Sequence, residues 1–173
     1  MFICLTGFMG CGKSSVGARL AAMLHCRHAD LDALVTEAAG MSIPEIFASE
    51  GEEGFRSREL EALKAALAVP DRDFVLSLGG GTPTRSEARE VLRKAGAVCI
   101  YLRAGAGTIR GRLSGEGIKA RPMLQKRPLE ELISERSPIY ESLADLVLDT
   151  DELSAQEVAQ VLAAELESRR AHA

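Results

Sequence analysis

Short apolar runs alternate along the chain with longer segments whose apolar positions recur every three or four residues. Phe2-Ile3-Cys4-Leu5-Thr6 is one such run. Residues 74–78 (Phe-Val-Leu-Ser-Leu) and 97–102 (Ala-Val-Cys-Ile-Tyr-Leu) are two more, and 145–149 is a weaker one. Runs this short and continuous predict strands covered on both faces, hence a mostly parallel sheet. Between them Val16, Leu20 and Leu24 lie on one helical stripe, as do Leu60, Leu63 and Leu67, and Val158, Leu162 and Leu166. Ser42 with Glu45, Thr84 with Glu87 and Ser154 with Glu157 each predict a capping box at a helix start. The alternation of strand and helix predicts a three-layer α/β fold. Residues 114–120 fit neither pattern. They are polar, carry glycine and run into Arg121-Pro122, which predicts a mobile loop of the kind that closes over phosphate sites.

Composition narrows the picture. No repeat, low-complexity linker or composition break divides the 173 residues, so one domain over 1–173 is expected. With 46% hydrophobic and 27% charged residues the chain reads as globular. Acids and bases are mixed and the net charge is −4, which argues against a nucleic-acid-binding face while allowing a local basic pocket. No apolar run reaches the roughly 18 residues of a membrane span. The start, Met1 to Thr6, has no basic segment or small-residue cleavage site and reads as a buried strand, not a targeting peptide. Cys4, Cys11, Cys26 and Cys99 show neither CxxC nor metal-site spacing. A disulfide framework is not expected, and a reducing cytoplasm is the natural compartment.

The chemistry starts directly after the first strand. Gly7-Phe8-Met9-Gly10-Cys11-Gly12-Lys13-Ser14 matches the phosphate-binding pattern G-x4-G-K-[ST], with a strand before it and an amphipathic helix after it. Glycines let the backbone curl so that its N–H groups point at phosphate oxygens, and the helix aims its positive end at the same place. Lys13 is expected to reach the β- and γ-phosphates of ATP, and the Ser14 hydroxyl to ligate Mg²⁺. Gly10, Cys11, Gly12 and Ser15 complete the expected ATP contacts. Phosphate binding follows from this motif; transfer does not, because switch GTPases and motor ATPases share it. The Cys11 sulfur, inside the loop, is expected to be partly exposed and shielded from alkylation by MgATP; a buried inert thiol is the alternative.

A second group of residues could form an acceptor site. Asp30 and Asp32, two apart on an extended chain, would point to one face near a strand's C-terminal end. Asp30 would then stand near Mg²⁺, and Asp32 would accept a hydrogen bond from an attacking hydroxyl. A solvated turn with a helix cap has the same spacing. Gly79-Gly80-Gly81 follows the apolar run 74–78 and would allow backbone to approach a ligand, although chain reversal alone would explain one or two of the glycines. Arg56 and Arg136 lie in helix-like segments and offer the planar fork that matches a carboxylate. Taken singly, each reads first as a surface charge. Arg121, in the expected lid, could swing onto transferring phosphate.

Together these segments resemble the shikimate kinase family of small P-loop kinases. The matching stretches are Gly7 to Ser14, Asp30-Leu31-Asp32, Gly40 to Phe47, Gly51-Glu52, Phe55-Arg56, Glu59, Gly79-Gly80-Gly81, Arg121-Pro122 and Arg136-Ser137-Pro138-Ile139-Tyr140. They span almost the whole chain in the family's order, and the block from Asp30 to Glu59 with the triple glycine is specific to it. The resemblance implies a five-stranded parallel sheet in order 2-3-1-4-5, an acceptor-binding region at 33–60 and a lid at 112–124. It also implies phosphorylation of the 3-hydroxyl of shikimate by ATP with Mg²⁺, a step towards aromatic amino acids, in a monomer. Asp32, Arg56, Gly79, Gly80, Gly81 and Arg136 would bind shikimate, Asp32 at ring hydroxyls and the two arginines at the carboxylate. Asp30 would support the Mg²⁺ shell through water, Arg121 would contact phosphate, and Arg112 resembles the arginine that packs on adenine. Lys13, Asp32 and Arg121 would be the catalytic groups. Ser15, Leu78 and Met123 depart from commoner residues of the family, and none of the three removes a needed charge or ligand. A gluconate-type kinase and a non-catalytic nucleotide-binding regulator are the competing readings.

Overall fold

The computed structural model describes residues 1–68, 73–113, 124 and 126–171. Five strands, β1 (Phe2–Thr6), β2 (Arg27–Asp30), β3 (Phe74–Ser77), β4 (Val98–Arg103) and β5 (Leu146–Asp149), form one sheet in the order β2-β3-β1-β4-β5. Every neighbouring pair is parallel, with Cys4 of β1 opposite both Leu76 of β3 and Cys99 of β4. The helices are α1 (Lys13–Met23), α2 (Leu31–Ala39), α3 (Ile43–Leu67), α4 (Ser86–Lys94), α5 (Ala106–Arg112), α6 (Leu129–Leu143) and α7 (Ala155–Ala171). The expected α/β fold with strand order 2-3-1-4-5 is therefore the observed one.

Side chains alternate across the sheet and so divide the core in two. Ile3 and Leu5 of β1 point to the face covered by α1 and α7, where Val16, Leu20, Val158, Leu162 and Leu166 are buried. Cys4 points the other way, into a cluster with Leu31, Leu63, Leu76 and Leu92. The interior strand β3 is buried at all four positions, and the edge strand β5 alternates between half-buried and exposed. That is why 145–149 is the weakest apolar run. Burial also raises the Cys4 thiol pKa and pushes that of Cys99 up to about 12.

Two of the three expected capping boxes form. Ser42 caps α3 and bonds reciprocally with Glu45, and Ser154 does the same with Glu157 before α7. Thr84 does not cap α4. It closes a 3-10 turn, Thr82–Thr84, where its hydroxyl donates to the Gly81 carbonyl at 2.6 Å, and α4 begins after Arg85 without a side-chain cap. Helix α3 is broken at Gly51, whose φ of 70° lies in the left-handed region that favours glycine. The expected lid falls largely within residues 114–123 and 125. These residues, Arg121 among them, lie outside the described residues.

The Ser154 cap should be measurable, because α7 covers one face of the core together with α1. Ser154→Ala is expected to lower the melting temperature by roughly 2–4 °C. Bonding to Ser154 holds the Glu157 carboxyl below its usual pKa, so the stabilisation is present above the ordinary carboxylate range and is lost as pH falls through the lowered value. Thermal melts at pH 7 and pH 3 check both; an unchanged melting temperature at pH 7 would contradict the cap.

Candidate active site

Parallel strands bring the loops after β1, β2 and β3 to the same edge of the sheet, and the candidate residues gather there. The first loop, Gly7 to Gly12, ends in the N-cap of α1. Gly12 has a φ of 101° and no side chain to bond the first-turn N–H groups, which leaves them for a ligand. The loop borders a cleft of about 430 Å³ lined by Lys13, Ser14, Ser15, Asp30, Asp32, Gly80 and Arg112, among others. The Lys13 ammonium is turned onto the loop itself, donating to the carbonyls of Gly7 at 2.8 Å and Phe8 at 2.9 Å. Arg112, at the end of α5, donates to the Cys11 carbonyl at 3.0 Å and the Thr150 carbonyl at 3.1 Å. It also lines a second cavity of about 280 Å³ beside Gly12, Ser15 and Leu153.

Cys11 differs from expectation. It is 1% exposed and belongs to the core beneath the loop. A loop that turns its N–H groups to one side sends this side chain to the other, so the thiol is a core residue and not an accessible nucleophile.

Asp30 and Asp32 also differ in how they are brought together. β2 ends at Asp30 and α2 begins at Leu31, so the two do not alternate along one extended strand. Asp30 is the N-cap of α2. One of its oxygens accepts the Asp32 N–H at 3.0 Å and the other accepts the Ser14 hydroxyl. The turn carries both carboxylates to the cleft. Ser14 and Asp30 supply adjacent oxygens of the kind a hard divalent cation takes. Among the described residues no group of three His, Cys, Asp or Glu side chains could hold a metal alone.

The triple glycine makes three close approaches. A Cβ at Gly79 would stand 2.7 Å from Glu59 Oε1 and 2.9 Å from Asp32 Oδ1. One at Gly80 would stand 3.1 Å from the backbone nitrogen of Met9, and one at Gly81 only 2.1 Å from Arg56 Nη2. The glycines thus let α2, α3 and the phosphate loop meet around one strand end.

Both arginines are buried, not surface charges. Arg56 is 8% exposed; its Nη1 donates to Glu59 at 2.8 Å, and Glu59 accepts the Thr82 hydroxyl at 2.6 Å. Arg136, on α6, is 4% exposed, with its guanidinium 5.7 Å from the centre of the Phe8 ring. Its Nη1 is buried and has no hydrogen-bond partner among the described residues. One turn further on, Tyr140 donates to the Gly80 carbonyl. Burial pushes its phenol pKa up, the Arg136 charge working against it.

A model described as shikimate kinase matches residues 9–167. A shikimate kinase of Symbiobacterium thermophilum is 40% identical over 173 residues, covering 98% of each chain. The chain belongs to the shikimate kinase family. Its activity is accordingly that of a shikimate kinase, a phosphotransferase of the shikimate pathway. The gluconate-type and non-catalytic readings fall away. Solved shikimate kinases share the fold at high overlap. The enzyme from Acinetobacter baumannii, in complex with shikimate, has a TM-score of 0.89 at 33% identity, covering 96% of this chain and 93% of its own. The enzyme from Aquifex aeolicus has a TM-score of 0.82 at 34% identity, covering 98% of both.

Four contributors to this kinase site carried no role in the sequence reading: Phe8, Glu59, Thr82 and Tyr140. Glu59 stands one helical turn from Arg56, a spacing that could have paired them. Phe8, Thr82 and Tyr140 act across elements and leave no local signal.

The contact at Gly81 makes a direct test. Its φ of −95° suits any residue, and the nearest atoms that the new Cβ of Gly81→Ala would meet are those of the Arg56 guanidinium. The obstructed atom is the end of a flexible side chain, so the fold should survive while the guanidinium leaves Glu59. The expected result is an unchanged circular dichroism spectrum, a KM for shikimate raised about tenfold or more, and an unchanged KM for ATP. An unchanged KM for shikimate would contradict the close approach.

Proposed function

We propose that the chain transfers the γ-phosphoryl group of ATP to the 3-hydroxyl of shikimate, with Arg136 and Arg56 gripping the carboxylate and Asp32 the ring hydroxyls. The observation that carries this reading is the Arg136 guanidinium, buried against Phe8 with Nη1 unpartnered among the described residues. A guanidinium stays charged in a protein, and a buried donor without an acceptor is costly. A carboxylate on a small acid would supply the missing acceptor. Glu59 holds Arg56 Nη1 at 2.8 Å and the half-exposed Glu52 stands 3.8 Å from Nη2, so the same carboxylate would share the fork from the Nη2 side. Asp32 and the backbone of Gly79 to Gly81 would complete the acceptor site, within a region extending over residues 33–60.

The remaining roles follow from the cleft. Lys13 would leave the Gly7 and Phe8 carbonyls and bond the β- and γ-phosphates, whose oxygens are stronger acceptors for an ammonium. Gly10, Cys11, Gly12, Lys13, Ser14 and Ser15 would surround the phosphates through the loop backbone and the first turn of α1. Ser14 and, through water, Asp30 would hold Mg²⁺, which would neutralise phosphate charge when bound. Arg112 would border adenine, and Arg121, from a lid at 112–124, would reach the transferred group. Phosphoryl transfer passes through a loose transition state, so positioning and charge matter more than a strong base. Asp32 would orient the attacking hydroxyl by accepting its hydrogen bond. The whole would work as one kinase domain over residues 1–173.

Arg136→Lys tests the clamp, because lysine keeps the charge and loses the fork. Losing a buried charged hydrogen bond costs about 2–5 kcal/mol. The KM for shikimate is expected to rise tens- to thousands-fold while the KM for ATP barely moves. Shikimate carboxamide should be a poor substrate of the wild type and should discriminate less between wild type and variant. Equal turnover of the carboxamide and shikimate would remove the clamp and the acceptor assignment with it.

A further inference from the structure

We infer that His28 is a positioning residue for the phosphate loop, acting through the Ser77 hydroxyl on the backbone carbonyl of Lys13. Ser77, the last residue of β3, is fully buried. Its hydroxyl donates to the Lys13 carbonyl at 3.0 Å, and its oxygen lies 3.0 Å from Nε2 of His28 on the neighbouring strand β2. The proton placement follows from the inventory of donors. Serine has one hydroxyl proton, and a carbonyl can only accept. That proton is committed to Lys13, so the Ser77 oxygen is the acceptor in its other bond, and Nε2 of His28 must carry the hydrogen. The relay runs from His28 Nε2–H to Ser77 Oγ–H to the Lys13 carbonyl.

A second observation shows that the fold makes room for this contact. A Cβ at Gly17, in the second turn of α1, would stand 2.6 Å from His28 Nε2 and 2.7 Å from Ser77 Oγ. The imidazole can reach Ser77 only because residue 17 has no side chain. His28 and Asp30 stand two apart on β2 and share a face. Asp30 takes the Ser14 hydroxyl, and His28 works through Ser77 on Lys13. One strand therefore fixes two consecutive residues at the start of α1, the ones that carry the phosphate-binding ammonium and hydroxyl. Loosening this anchor would let the helix start drift from its phosphate geometry without touching the acceptor side.

The inference rests on reading this loop as the nucleotide site, so the closing experiment measures nucleotide affinity apart from transfer. Calorimetry with MgADP should show affinity lowered roughly three- to tenfold in His28→Leu, the loss of one neutral hydrogen bond. His28→Gln, whose amide N–H reaches the same oxygen, should recover most of it, and the KM for shikimate should stay at the wild-type value in both. Independently of any variant, long-range ¹H–¹⁵N correlation spectra of the wild type should show a hydrogen on Nε2 of His28. A ring protonated at Nδ1 alone, wild-type affinity in His28→Leu, or no recovery in His28→Gln would each overturn the inference. A wild type that binds MgADP but does not phosphorylate shikimate would instead refute the proposed acceptor chemistry and leave the relay standing.

Discussion

An arginine cannot shed its charge when a fold buries it, so every buried guanidinium must find acceptors or leave donors unmet. Two such groups stand at the C-terminal edge of this sheet, and much of the local architecture answers to them. Arg56 meets Glu59, which Thr82 holds from the other side. The triple glycine keeps side chains out of the space that the pair occupies. Arg136 stacks on Phe8 but keeps Nη1 without a partner among the described residues. Removing either partner of the Arg56–Glu59 pair would strand a buried charge, which is worse than never having buried the pair.

The two halves of the site share walls. Gly80 lies against the backbone of Met9 in the phosphate loop, and Tyr140 holds the Gly80 carbonyl from α6. Phe8, in the same loop, is the platform under Arg136. A displacement of Phe8 or Met9 would therefore be felt beside Arg136 and Gly80, whereas the anchor on the Lys13 carbonyl lies at the other end of the loop. Such contacts suit a reaction in which two bound molecules must be aligned before a loosely held phosphoryl group crosses between them.

Much of this was legible in the sequence, for physical reasons. Strands β1, β3 and β4 are central and covered on both faces, which makes them continuous apolar runs. The phosphate loop has a motif whose glycines are fixed by geometry. What failed to read depends on which way a side chain turns. Cys11 lies inside a motif that faces the ligand, yet its own side chain faces the core. Asp30 and Asp32 have strand spacing, but the strand stops between them and a helix begins. Thr84 and Glu87 have the capping-box spacing, but a 3-10 turn through Pro83 uses the threonine first. Arg56 and Arg136 look like surface charges because nothing local reveals that their helices turn them inward.

The donor that Arg136 leaves unmet among the described residues would be completed by the carboxylate of shikimate. A crystal structure of the protein with shikimate bound tests this most directly. A carboxylate oxygen should lie within hydrogen-bond distance of Arg136 Nη1, with Arg56 still held by Glu59. A bound shikimate whose carboxylate faces away from Arg136, with Nη1 satisfied by water or protein instead, would contradict it.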